Sequence, residues 1–335
     1  MGFGGLYVRS TKASKHLQNQ LNAELSPAPK GTAFLRWPYR AKNPAQDKSV
    51  ATVAVLIAGV GRFGNSVLQV LNSYRIASIL GSTTVYYFHY SAIKNRATAL
   101  TGGIEMIRFS LNLPSRLRAP RVIWKTHAMV GQKVLVDPCS RPSQVISQNL
   151  QAAVLPGYKK GKTRESVLTI HLRSGDIFWD SPHNSYGQPP FAYYKQILES
   201  RNWALVEIVS EDSSNPCHEL ITTWCKQAGV RARALGEDFE TALTSLARAQ
   251  HLVAGSGTFV PAITYLFPLQ RNVYTFEYSK SELYCAENVT VFTIRDRLGT
   301  YTREILSNNW RNLPWQRQLM ADYPDDALGP LESIK

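Results

Sequence analysis

The chain has 335 residues, 44% of them hydrophobic and 19% charged, with a formal charge of +14. That length favours two domains with a core in each, and the composition excludes a disordered, collagen-like or disulfide-stapled chain. No run approaches the roughly 20 apolar residues of a membrane helix, and the first residues lack the order of a signal peptide.

The positive charge is uneven. Residues 1–50 hold eight Lys/Arg against Glu24 and Asp47, and residues 94–133 hold eight against Glu105 alone. Such blocks attract polyanions such as lipid headgroups, an acidic or lipid-linked glycan, or nucleic acid; as scattered surface charge they only aid solubility. No RNP, KH-like or zinc motif accompanies them, so no nucleic-acid partner is expected. The four cysteines (Cys139, Cys217, Cys225, Cys285) lack metal-ligand spacing. They read as free thiols of a reducing compartment, which points to a cytoplasmic protein with a peripheral contact to an anionic membrane.

In chain order, residues 1–50 carry Pro27, Pro29, Pro38 and Pro44 and no sustained period, and read as a basic, loosely ordered arm. A strand over 51–58, a tight loop over 59–64 and a helix over 65–80 follow, the helix bearing Val67, Val70, Leu71, Tyr74 and Ala77 on one side. Further strands are expected over 84–88 and, weakly, 133–136. Pro156–Lys162 reads as an exposed linker. The domains are therefore expected at 51–160 and 161–335.

The second half alternates: strand 167–173, helix 191–200, strand 205–210, a helix capped by Asn215, helix 237–249, strand 251–254, a helix through Phe267 and a last strand 272–276. In the capped helix Pro216 takes the first position, and Leu220, Ile221 and Trp224 form the buried face. Alternating strands and helices imply a parallel sheet covered on both faces.

Two motifs carry chemistry. Gly59-Val60-Gly61-Arg62-Phe63-Gly64 fits the dinucleotide fingerprint between strand and helix, and would make the chain an NAD(P)-dependent oxidoreductase. That fingerprint needs an acid about 20 residues on for the ribose, and no Asp or Glu lies between Lys48 and Ile104. Lys94 or Arg96 could serve NADP instead.

The second motif is His171-Leu172-Arg173-Ser174-Gly175-Asp176, closing an apolar strand. Residues two apart leave a strand on one face, so His171 and Arg173 point together. An imidazole and a guanidinium fork at a strand's carboxyl end make an anion site. Gly175 permits a sharp turn, and Asp176 is expected to cap it. Ser256, Gly257 and Thr258 open a later helix, where N–H and hydroxyl groups suit phosphate oxygens; helix capping alone would also explain a Ser or Thr there.

Gly61-Arg62-Phe63-Gly64-Asn65, His171-x-Arg173-x-Gly175-Asp176, Ser210-Glu211-Asp212 and Leu252–Phe259, in that order, resemble blocks of the fucosyltransferase superfamily of α1,2-, α1,6- and protein O-fucosyltransferases. Ser66 departs from the usual Gln, and the tryptophans expected after Phe259 are absent. The resemblance implies a GT-B-like α/β fold, with two Rossmann-like domains whose parallel sheets face across a cleft. It implies inverting, metal-independent transfer from GDP-fucose to a glycan, glycoconjugate or lipid-linked acceptor, with no cofactor. The chain also lacks the Asp-x-Asp through which metal-dependent enzymes hold the diphosphate.

By this resemblance Arg173 binds the β-phosphate and stabilises the departing diphosphate, and His171 contacts the nucleotide. Asp212, or else Glu211, pairs with the guanine edge. Asn65 approaches the sugar or acceptor, or else caps its helix. Arg173 and Asn65 are thus the catalytic candidates. His171, Arg173, Asp212, Ser256, Gly257 and Thr258 are the donor-binding ones. Trp179 and Tyr186 are candidates for stacking on a sugar ring. Asp180 and His183 are candidates for the base, without a choice between them.

Overall fold

The computed structural model describes residues 53–57, 63–65, 67–68, 84–87, 99–100, 104–108, 122–126, 151, 154–155, 158–159, 161, 164–236, 238–276 and 288–334. The expected arm over 1–50, Gly59 and Gly61, most of the expected helix over 65–80 and the strand over 133–136 lie outside the described residues. The chain divides into two compact units, Met1–Asn149 and Leu150–Lys335. Among the described residues no helix is long and apolar enough to cross a membrane.

The first unit holds a five-stranded sheet of β1 (Val53–Ile57), β2 (Thr84–Tyr87), β3 (Ala99–Leu100), β4 (Ile104–Arg108) and β5 (Val122–Thr126). The order is β3-β4-β2-β1-β5, parallel except for β3, which runs antiparallel to β4. β1 thus lies between β2 and β5, and the chain beyond it is helical at 63–65 and 67–68, with Phe63, Val67 and Leu68 buried.

The second unit holds a seven-stranded sheet: β6 (Val167–His171), β7 (Leu205–Val209), β8 (Arg231–Leu235), β9 (His251–Ala254), β10 (Arg271–Phe276), β11 (Val289–Ile294) and β12 (Glu332–Ser333). Its order is β8-β7-β6-β9-β10-β11-β12, and only β12 is antiparallel. Counted within the unit, the parallel strands run 3-2-1-4-5-6, the doubly wound order whose direction reverses between β6 and β9.

Among the described residues the helices α1 (Phe191–Glu199), α2 (Cys217–Gln227), α3 (Phe239–Arg248), α4 (Phe259–Leu266) and α5 (Pro314–Asp322) accompany this sheet. Alternate strand positions divide the faces. Leu168, Ile170, Leu172, Val206 and Ile208 share one apolar cluster with Tyr193 and Ile197 of α1, Ile221 of α2 and Met320 of α5. Thr169 and Glu207 turn to the opposite face, where Ser245 of α3 donates to the Glu207 carboxylate at 2.5 Å. Arg164 forks the same carboxylate at 2.7 and 3.0 Å, so the buried acid is paired.

Several boundaries differ from expectation. β6 ends at His171, although Leu172 N–H still donates to Val209 O at 2.9 Å. α2 begins at Cys217 with Pro216 before it, and Asn215 still accepts the Cys217 N–H at 2.9 Å. On α2 the fully buried side chains are Cys217, Ile221 and Cys225, whereas Leu220 and Trp224 are half-buried. The heptad-like stripe sits about one position away from where the larger residues suggest. β10 is not the last strand, since β11 and β12 extend the sheet beyond it.

Candidate functional site

The carboxyl ends of β6, β7 and β9 lie side by side, and the loops leaving them carry all but one of the expected site residues. Open parallel sheets bind ligands in the crevice where strand order reverses, here between β6 and β9. Three hydrogen bonds hold the loops in register. Gly255 N–H donates to His171 O at 3.2 Å. The buried Ser174 Oγ accepts both Glu211 N–H at 2.9 Å and Asp212 N–H at 3.0 Å. Ser174 thus joins the β6 and β7 loops, a role its short side chain gave no sign of in the sequence.

Arg173 is mostly enclosed, its side chain 15% exposed. Its carbonyl takes the Asn215 side-chain N–H at 2.8 Å, fixing the backbone beneath it. The guanidinium carbon stands 4.2 Å from the centre of the Tyr186 ring, and Nη2 reaches Asp176 Oδ1 at 3.4 Å. Nη1 faces the turn before α4: a Cβ on Gly257 would lie 3.1 Å from it. Gly257 has φ +136°, a conformation L side chains rarely adopt, so the backbone there favours glycine. Asp176 thus reaches the arginine, and the first N–H of the short 3-10 turn Gly175–Phe178 is taken by Asp212 and Ser214 and not by the N-cap residue Ser174.

His171 lies flat on Phe259, the first residue of α4, with ring centres 4.9 Å apart and 6° between planes. Its Nδ1 is buried with no hydrogen-bond partner among the described residues. Burial, and then the neighbouring Arg173 charge, push its pKa from 6.5 down to about 3. The imidazole is neutral near pH 7, so it offers a ligand hydrogen bonds and no charge.

Ser256, Gly257 and Thr258 form the turn into α4. The Ser256 N–H is already taken, donating to Gln188 Oε1 at 3.1 Å. Thr258 stands at the N-cap without a side-chain capping bond, so capping does not account for its hydroxyl. Gln188 is fully buried and ties its loop to this turn. A Cβ on Gly255 would sit 2.7 Å from the Gln188 Oε1, so the crossing requires glycine.

Asp212 uses Oδ1 within its own loop and across to the β6 loop, accepting from Ser214 Oγ at 2.5 Å, Ser214 N–H at 2.9 Å and Gly175 N–H at 3.3 Å. Partial burial opposes its ionisation, but these bonds outweigh it and hold the carboxyl below its ordinary pKa. The Glu211 carboxylate lies beside Gly175, where a Cβ would come within 2.5 Å of it. Both acids border a cleft of about 350 Å³ at the ends of β7 and β8, with Ser210, His218, Gly236 and Asp238 on its other sides.

Asn65, the remaining expected residue, lies in the first unit, is half-buried, and is itself helical with Phe63 and Gly64 before it. Of the two stacking candidates, Trp179 is 63% exposed, its carbonyl held by Asn312 Nδ2 at 3.1 Å. Tyr186 instead gives a face of its ring to Arg173. His183 Nδ1 accepts the Ser185 N–H at 3.2 Å, leaving only its other nitrogen for proton transfer. Comparison of the chain with family models, with curated proteins and with solved structures found no match in any of the three.

Proposed function

We propose that the chain is an inverting, metal-independent glycosyltransferase of GT-B type that uses a GDP-sugar, with GDP-fucose as the first candidate donor. One observation carries the reading. At the switch point of a doubly wound sheet, the guanidinium of Arg173 faces the glycine turn at the amino end of α4. A cation fork and a helix amino end converging on one spot suit a diphosphate. The acid-lined cleft beside it suits a nucleoside whose edge offers donors, as guanine does through N1–H and its amino group.

In this reading the acceptor oxygen attacks the anomeric carbon from the side opposite GDP. The bond from that carbon to the diphosphate oxygen breaks, its electron pair leaves with GDP, and the acceptor hydroxyl gives its proton to a base, for which Asp180 and His183 are the candidates. Arg173 stabilises the charge that develops there, and His171 contributes a neutral hydrogen bond. Asn65 is the first unit's candidate on the sugar or acceptor side, and Ser256, Gly257 and Thr258 line the phosphate side.

Thermal shift with GDP, GDP-fucose, NAD and NADP tests the assignment, since a specific ligand raises stability by mass action. GDP and GDP-fucose should shift the wild type, and Arg173→Ala should lose the shift. A response to NAD or NADP alone would favour the oxidoreductase reading, to which the parallel order around β1 in the first unit is favourable. Hydrolysis of a GDP-sugar panel identifies the sugar, and transfer should survive EDTA. The basic segments 1–50 and 94–133 are assigned to an anionic membrane carrying the acceptor. Retention on anionic vesicles should appear at low salt and fade as salt rises; equal retention on neutral vesicles would dismiss it.

A further inference from the structure

Tyr186 closes the short 3-10 turn Asn184–Tyr186, and the backbone there is held from several sides. The Tyr186 N–H donates to His183 O at 3.2 Å, and the His183 ring meets that of Tyr186 edge-on with centres 5.2 Å apart. Next to it, Gly187 runs so close to Ile305 that a Cβ would lie 2.3 Å from that carbonyl oxygen. Gln188 then folds back, its Nε2 donating to Tyr186 O at 2.8 Å and Gly187 O at 3.3 Å, while its own carbonyl accepts Tyr301 OH at 2.6 Å. On the other side, Trp310 N–H donates to Asn184 O at 3.2 Å and Ser185 Oγ to Asn308 Oδ1 at 2.7 Å. The same Gln188 side chain holds Ser256 N–H, in the turn that Arg173 faces.

We propose that Tyr186 is the positioning residue of the anion site. Its ring sets the plane of the Arg173 guanidinium, so that one nitrogen addresses the Gly257 turn and the other Asp176, while Gln188 keeps ring and turn in register. This rests on Arg173 as the diphosphate ligand. A free arginine side chain spreads over many rotamers, and ordering it on binding subtracts from affinity. A ring face attracts the cation and suits a planar guanidinium better than an ammonium, so the platform removes that cost before the ligand arrives.

The test is a binding cycle on the full chain, with GDP and inorganic pyrophosphate as probes, read by calorimetry. Tyr186→Phe keeps the ring face and should bind both probes within about twofold of wild type. Tyr186→Leu should weaken both about tenfold, the size of a cation–π contact. Should the leucine variant not fold, Tyr186→Met, of similar bulk and without a ring, carries the same expectation. In an Arg173→Lys background the leucine substitution should add less than twofold, because the ammonium gains little from the ring plane. A merely structural tyrosine would give losses that multiply, and that result overturns the proposal. Wild-type affinity in Tyr186→Leu also overturns it while leaving the anion site standing. A wild type that binds neither probe removes the anion site and the proposal together.

Discussion

His171 and His251 belong to neighbouring strands of one sheet and sit at its opposite ends. His251 opens β9, and both ring nitrogens meet protein: Nε2 lies 2.7 Å from Arg201 Nη1 and Nδ1 lies 2.9 Å from Tyr274 OH. His171 closes β6 with Nδ1 buried and without a partner among the described residues. Burial foremost, then a neighbouring arginine, lowers both, to about 4 for His251 and about 3 for His171.

The arginines repeat the contrast. Arg271, at the amino end of β10, donates to the carbonyls of Leu246, Ala247 and Phe267. Arg173 has a ring face and a long contact to Asp176. At the amino end both nitrogens of His251 and two of the three Arg271 nitrogens are taken by the protein, Arg271 Nε alone lacking a partner among the described residues; at the carboxyl end His171 Nδ1 lacks one. Buried polar atoms without partners cost stability, so a ligand that completes them is worth more than one on a finished surface.

The largest effect should come from Arg271→Ala, which strips charge-assisted donors from three carbonyls at about 1.5–3 kcal/mol each. Chemical denaturation should show a loss of at least about 3 kcal/mol; a loss below about 1 would mean the amino end is less closed than its bonds indicate. Arg173→Lys should leave stability nearly unchanged and cut transfer by about 10²–10³-fold, the equivalent of about 2.7–4 kcal/mol of lost charge stabilisation. Near-normal transfer in that variant would place the diphosphate elsewhere.

Acid sharpens the comparison next. Both histidines are neutral when folded and protonated at 6.5 when unfolded, so the unfolded chain binds more protons below that pH. Stability should therefore be intact above about pH 6.5 and fall as pH drops toward 4, by at most about 1.4 kcal/mol per pH unit per histidine. His251→Gln should flatten that fall between pH 6.5 and 5, and an unchanged slope would show that His251 does not titrate as its burial requires. The smallest effect belongs to His171→Phe. Replacing a buried unpaired nitrogen by carbon should change stability by less than about 1 kcal/mol, in either direction, while GDP affinity drops. A large destabilisation would make His171 a structural residue like His251.

Much of this was legible in the sequence. β6 and β9 are short apolar runs ending in turn residues, and so the meeting of Arg173 with Gly257 follows from two strand ends becoming neighbours. β8 was not legible, because in Arg231-Ala232-Arg233-Ala234-Leu235 only two alanines mark an apolar face; as an edge strand it buries only Leu235 fully. β11 carries a readable β-branched pattern, but no helical period separates it from β10, so the alternation that organises the second half gives it no place. Within the site, Gln188 escaped because its place arises from a loop crossing to another strand's turn, which no local pattern encodes. Asp176 was misread for a related reason: a capping role was inferred from the turn, whereas the side chain answers to the arginine three residues before it.

The sheet's margins have a consequence for how the chain behaves at high concentration. Among the described residues nothing pairs beyond β8 or β12. An open strand edge is a template on which other chains can pair and aggregate. β12 is only two residues long, and β8 exposes Arg231 and Arg233, so one edge is too short to recruit a strand and the other repels a second copy of itself. The arginines that hid β8 from a hydrophobic reading are thus the residues that keep separate molecules from joining along it.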